Sequence, residues 1–142
     1  NNNEAKVLEY NTRFGDPETE VVLPRLKSDL VTVMLNCIDG NLKEEDLQWH
    51  EESCAAVVLA SGGYPEDYEK DKEITGLNDM KDDIVVFHGG TKLVGNKVVT
   101  DGGRVLAVTA MGKTLKDARE KVYDNIPKIH FEKMQFRRDI AD

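Results

Sequence analysis

The sequence predicts an α+β fold on three observations. Short apolar runs bounded by glycine and charged loops read as strands: CAAVVLA at 54–60, IVVFH at 84–88 and RVLAVTA at 104–110. TKLVGNKVVT, at 91–100, centres Gly95-Asn96 between two apolar pieces, which is the signal of a two-residue hairpin. Two other stretches space their apolar residues at three to four, the period of a helix. Together these give a small mixed or antiparallel sheet with a covering helix, preceded by a largely helical segment.

Taken in order, Ala5 to Tyr10 (AKVLEY) reads as a strand, and Gly15-Asp16-Pro17 stops it because proline lacks the donor a ladder needs. From Glu18 the period is helical through Val21, Val22, Leu26, Leu30, Val33, Met34, Cys37 and Ile38. Pro24 divides this run into a short helix and a longer one, with Ser28 or Asp29 as N-cap of the second and Gly40 as its stop. Met34 and Trp49 read as core, and the charged residues 44–52 as a connecting arm. A second unit begins at Ser53. In its strand 104–110, Val105, Ala107 and Thr109 face one way and Leu106, Val108 and Ala110 the other, before Gly112 ends it. Thr114 caps a helix running to about Ile126 that turns Leu115, Ala118, Val122 and Ile126 inward. The tail, Ile129 to Asp142, reads as a final strand or two carrying Arg137 and Arg138. One strand and two helices cannot make a sheet, so the strand at 5–10 must borrow a neighbour. The chain divides at 1–45 and 46–142.

With 142 residues, 39% apolar and 32% charged, the chain is that of one ordinary globular domain. No run approaches the roughly 20 apolar residues of a membrane span, and the start lacks the pattern of a signal peptide, so a cytoplasmic protein is expected. A net charge of −8 opposes nucleic-acid and anionic-membrane partners, which leaves small molecules bound at local cationic spots. Cys37 and Cys54 lack the spacing of a zinc site and read as reduced packing residues. His50 and His130 have no partners at metal spacing, and His88, ending a strand, reads as a satisfied histidine.

Four stretches carry candidate chemistry. In LEYNTRFGDPETEV, strand alternation sends Glu9, Asn11 and Arg13 to one side and Leu8 and Tyr10 to the other. A carboxylate with an amide oxygen suits a hard cation such as Mg²⁺, and the guanidinium beside them suits a phosphoryl oxygen. The exposed face of an edge strand has the same composition. Gly102-Gly103-Arg104, ahead of a strand, can converge amides and a guanidinium on an anion, or be a tight turn with a surface arginine. Arg137-Arg138 is a cationic spot suited to a ribose 5-phosphate, or a pair neutralised by neighbouring acids. Gly62-Gly63-Tyr64-Pro65 reads as a turn, with a covering loop near a ligand as the alternative.

LEYNTRFGDPETEVVLPRLKSDL resembles the segment that closes the ATP-grasp domain of the phosphoribosylamine-glycine ligase (glycinamide ribonucleotide synthetase) family. GGYPEDYEKDKEITG, VVFHGGTKL, VVTDGGRVLAVTAMGKTLKDA and FRRDIA resemble that family's C-terminal domain in the same order, so that residues 4–142 are covered. The resemblance implies that 1–45 ends an ATP-grasp domain and 46–142 is the C-terminal domain. It implies the joining of glycine to 5-phosphoribosylamine with ATP, through an acyl phosphate. It implies that Glu9 and Asn11 are ligands of Mg²⁺ (or Mn²⁺) and that Arg13 lies near the transferred phosphate. Gly102, Gly103 and Arg104 become nucleotide or substrate contacts, and Arg104, Arg137 and Arg138 substrate contacts. The family's upstream domains lie outside this sequence, so the chain by itself is not expected to catalyse. The rival expectations are another ATP-grasp carboxylate-amine ligase and a stand-alone binding module. The chain departs from the family at His88-Gly89-Gly90-Thr91, where HAGT is common. It departs again at Asp71 and Ala141, where glycine is usual, and at Asp101, where asparagine is commoner.

Overall fold

The structure is a computed structural model and describes residues 6–8 and 10–142. Among these, the strands are β1 (Ser53–Ala60), β2 (Ile84–His88), β3 (Thr91–Val94), β4 (Lys97–Thr100) and β5 (Arg104–Gly112). β5 is the centre of a three-stranded sheet of order β1-β5-β2, antiparallel throughout, while β3 and β4 form a separate hairpin. Gly95 turns that hairpin at φ +60°, the left-handed backbone required at the first position of its two-residue turn.

The register explains the core. Ala55, Val57 and Leu59 of β1 lie opposite Ala110, Val108 and Leu106 of β5, and Ile84 and Val86 of β2 lie opposite Ala110 and Val108. Alternation puts all of them on one face. Against that face packs α3 (Leu115–Asn125), presenting Ala118 and Val122, both 0% exposed, with Ile126, Ile129 and Phe131 completing the cluster. Thr114 caps the helix reciprocally: Thr114 Oγ1 accepts from Asp117 N–H (3.1 Å) and Asp117 Oδ2 from Thr114 N–H (3.0 Å). Leu115, expected to face inward, is 48% exposed, because the first helical residue sits at the rim of the sheet rather than over it. On the other face of the sheet lies α1 (Thr19–Val22), in contact with β1 and β5.

The expected division at Pro24 is observed. α1 passes into a 3₁₀ turn, Leu23–Arg25, and after an isolated bridge between Leu26 and Trp49 the chain enters α2 (Leu30–Ile38). Asp29 is the N-cap, accepting from Thr32 N–H at 2.8 Å, and Gly40 follows the helix at φ +68°. None of the residues of α2 is buried. Met34 and Trp49, expected in the core, are exposed, and so is Cys37, expected as a packing residue. A helical period defines an apolar stripe but does not supply its cover, and no described element lies over this one.

Two expected strands are also corrected. Positions 5 and 9 of the strand expected at 5–10 lie outside the described residues. Its described residues form no strand, and Leu8 is 97% exposed, because a ladder needs a partner edge and no described strand or bridge pairs with them. The tail after Ile129 makes two isolated bridges, Thr75 with His130 and Ala60 with Gln135, but no strand. Lys133, at φ +58° between them, turns the chain and prevents one bridge from extending into the other.

Candidate functional site

Arg104 opens β5 at the edge of a cleft of about 510 Å³ lined by Val58, Ala60, Tyr64, Arg104, Gln135, Phe136 and Arg137. Four local devices build it. The Tyr64 ring lies on Gly103: a Cβ added there would stand 2.1 Å from Tyr64 Cδ2, so only glycine leaves the ring its place. Ser61 anchors the same loop, its N–H donating to Gly103 O (2.8 Å) and its Oγ to Gly102 O (2.9 Å). Gln135 joins the opposite wall, exchanging backbone hydrogen bonds with Ala60 while its Nε2 donates to Tyr64 O (2.8 Å). The Tyr123 hydroxyl of α3 donates to Arg137 O (2.9 Å), and Arg119 donates through Nε to Ile140 O (3.0 Å), which holds the tail against the helix.

Both cleft arginines are oriented by aspartates. Arg104 donates through one terminal nitrogen to Asp16 O (3.0 Å), and its other stands 3.3 Å from Asp16 Oδ2. Arg137 grips Asp139 in a fork, Nε to Oδ1 at 2.9 Å and the terminal nitrogen to Oδ2 at 2.6 Å, a pairing that holds the Asp139 carboxyl below the usual carboxylate range. Arg138 does not line the cleft; its guanidinium lies 5.6 Å from the centre of the Phe136 ring. Gly102 packs against Gly90, where a Cβ on Gly90 would come within 2.5 Å of the Gly102 Cα. The neighbouring Gly89, where the family commonly has alanine, would bring a Cβ no closer than 3.1 Å to Arg104 O, a tight but tolerable contact.

The loop that follows Tyr64 is tethered by charge. Glu69 accepts from Lys133 (2.7 Å) and lies 2.6 Å from Lys72, which also pairs with Glu132 at 3.0 Å. Lys133 first, then Lys72, hold the Glu69 carboxyl down to about 2. Asp71 and Asp101, two of the departures from the family pattern, converge on Lys92 at 2.7 and 3.3 Å. His88 Nδ1 shares a hydrogen bond with Thr91 Oγ1 at 3.0 Å, within its own turn.

Glu9 is outside the described residues. Asn11 and Arg13 are exposed on non-strand backbone, where Arg13 donates to Phe14 O at 2.9 Å. Amide and carboxylate oxygens at 11 and 9 are the right donors for Mg²⁺. Among the described residues, however, no three or more His, Cys, Asp and Glu side chains gather where they could hold a metal ion. No helix among the described residues is long and apolar enough to cross a membrane. Sequence reasoning missed Val58, Ala60, Gln135 and Phe136 as cleft walls. Tyr64 had a signal in its Gly-Gly-Tyr-Pro turn; Gln135 and Phe136 had none, because the tail read as a strand, and Val58 and Ala60 had none, because an apolar strand residue does not name the space it faces.

Fold and cleft define the class: an α+β domain whose small antiparallel sheet, backed by one helix, opens a cleft walled by two aromatic rings and two guanidinium groups. Residues 54–142 match the family profile described as phosphoribosylglycinamide synthetase, C domain, and the chain belongs to that family. It is 50% identical over 136 residues to a phosphoribosylamine–glycine ligase of Halalkalibacterium halodurans, covering 96% of this chain and 31% of the relative. Similarity to the ligase of the same name from Synechocystis is 50% over 140 residues, covering 97% of this chain and 33% of the relative. A crystal structure of phosphoribosylamine–glycine ligase from Thermotoga maritima superposes with TM-score 0.79 at 39% identity, over 94% of this chain and 32% of that one. The chain thus spans about a third of the length of these relatives.

Proposed function

We propose that this chain supplies the acceptor-holding part of a cytoplasmic, ATP-dependent ligase that joins glycine to 5-phosphoribosylamine. The observation that carries this reading is the cleft, in which Arg104 and Arg137 face one space between Tyr64 and Phe136, in a chain half identical to proteins named for that ligation. Planar guanidinium forks match phosphoryl oxygens, and ring faces with Val58 and Ala60 cover a sugar. In this reading Arg104 and Arg137 receive the 5-phosphate of the acceptor; Arg138, turned onto Phe136, stands outside that contact, and Gly103 leaves the Tyr64 ring its place as a wall. Asp16 and Asp139 hold the two cleft guanidiniums in place beforehand, so that binding does not have to order them.

Residues 1–45 would close the ATP-grasp domain, and 46–142 would be the ligase's C-terminal domain. Arg13 lies near the transferred phosphate, and Glu9 with Asn11 would hold Mg²⁺ or Mn²⁺, the ion neutralising phosphate charge when bound. Catalysis then consists of positioning and charge neutralisation, with no covalent protein nucleophile. The partners are ATP, glycine and the ribosylamine; neither nucleic acid nor membrane is among them.

A titration of the ¹⁵N-labelled chain with ribose 5-phosphate, followed by amide shifts, tests the site. Saturable shifts confined to residues around 58–64, 103–104 and 135–138, abolished by Arg137→Ala, are expected. Shifts centred elsewhere, or none that saturate, overturn the assignment.

A further inference from the structure

Glu20 lies on α1, and its Oε2 is sealed from solvent without a hydrogen-bond partner among the described residues. A buried carboxylate oxygen left unsatisfied is costly, and native proteins rarely keep one idle. Glu20 lines a cavity of about 20 Å³ together with Asp16, Val58, Phe87, Gly89, Arg104, Leu106 and Ala107. Val58 and Arg104 are walls of this cavity and of the larger cleft alike, so the two spaces abut.

Size and chemistry decide what the small cavity takes. A space near 20 Å³ exceeds the roughly 10–15 Å³ that one water-sized group needs and admits little more. The floor of Val58, Phe87, Leu106 and Ala107 is apolar. Arg104, already held by Asp16, does not bond Glu20. What fits is one terminal donor, an amine or a hydroxyl, projecting from a ligand whose body lies in the cleft. We propose that Glu20 is the specificity residue of this cleft: its carboxylate accepts a hydrogen bond from the amino or hydroxyl group of a sugar phosphate whose phosphate lies on Arg104 and Arg137. This rests on the cleft reading above and adds to it that the site reads both ends of its ligand. Glu20 is thus a binding group, kept at a cost to the fold because the ligand, not the protein, completes its hydrogen bonding.

The test compares two probes, ribose 5-phosphate and inorganic phosphate, by calorimetric titration of the unsubstituted chain and of its Glu20→Gln, Glu20→Leu and Arg137→Ala variants. Glu20→Leu is expected to raise Tm, since it removes a carboxylate oxygen buried without a partner, and to weaken ribose 5-phosphate by about tenfold or more while leaving inorganic phosphate unchanged. Glu20→Gln, which keeps an oxygen without the charge, falls between. Unchanged ribose 5-phosphate affinity in both Glu20 variants overturns the proposal and leaves Glu20 serving a trapped water. Equal losses for both probes also overturn it, since Glu20 would then act only through Arg104. The cleft reading fails separately: if neither probe binds saturably to the unsubstituted chain, or Arg137→Ala changes neither, the cleft assignment falls and the role of Glu20 with it.

Discussion

α2 and α3 have equally good apolar periods and opposite fates. α3 puts Ala118 and Val122 out of solvent against a sheet whose facing residues repeat in register with it, whereas α2 buries nothing and leaves Ile38 80% exposed. Both are capped by the residue their sequence nominates, Asp29 and Thr114. Cap and period are therefore local properties that make a helix; its contribution to stability comes from the surface opposite. The largest expected effect breaks the pair apart. Leu59→Ala, at a side chain 0% exposed beneath α3, is expected to cost about 3 kcal/mol, roughly 10 °C in Tm. Leu35→Ala, the same chemistry at a side chain 54% exposed on α2, is expected to change stability by less than about 0.5 kcal/mol. Thermal melts of both variants check this; equal losses would mean the two helices share one core.

A smaller effect sharpens the comparison within the closed half, at the backbone. Asp71 and Ala141, both standing where glycine is usual, take φ +62° and +58°. Left-handed backbone costs a Cβ-bearing residue about 1 kcal/mol, less for aspartate, whose short side chain tolerates it. Ala141→Gly is expected to stabilise by up to about 1 kcal/mol. Asp71→Gly is expected to gain less, because it also removes the ion pair with Lys92 at 2.7 Å. Chemical denaturation of the two variants measures the difference, and a larger gain at Asp71 would refute the ion pair's contribution.

How far the fold was legible follows the same line. β1, β2, the β3-β4 hairpin, β5, α3 and both caps could be read because each depends on residues within a few positions of one another. The tail strands and the burial of Met34 and Trp49 were misread because each depends on a partner that local pattern does not name, while the strand expected at 5–10 lies partly outside the described residues. For the site, Arg104 and Arg137 stood out as cations in an acidic chain. Their meeting, and the presence of Tyr64, Gln135, Phe136 and Glu20 beside them, comes from the turn at Lys133, the glycine under Tyr64 and the seating of α1 on the sheet. A further departure, Asp101, became intelligible only when Lys92 was found between it and Asp71.

The smallest effect concerns the loop after Tyr64, which charge helps to hold alongside the burial of Ile74. Glu69, pressed down to about 2 by Lys133 and Lys72 against an ordinary 4.5, takes up its proton more readily in the unfolded chain. Its contribution is therefore fully present above about pH 4.5, declines as pH falls toward 2, and is absent below. The group is exposed, so salt screens it and the contribution is modest. Hydrogen exchange at residues 62–76, followed from pH 5 to 2.5, is expected to quicken relative to β5 after correction for intrinsic rates, and Glu69→Gln should flatten that difference. A loop that loosens in step with β5 would place it inside the core's cooperative unit, and the cleft would then open only when the sheet itself unfolds.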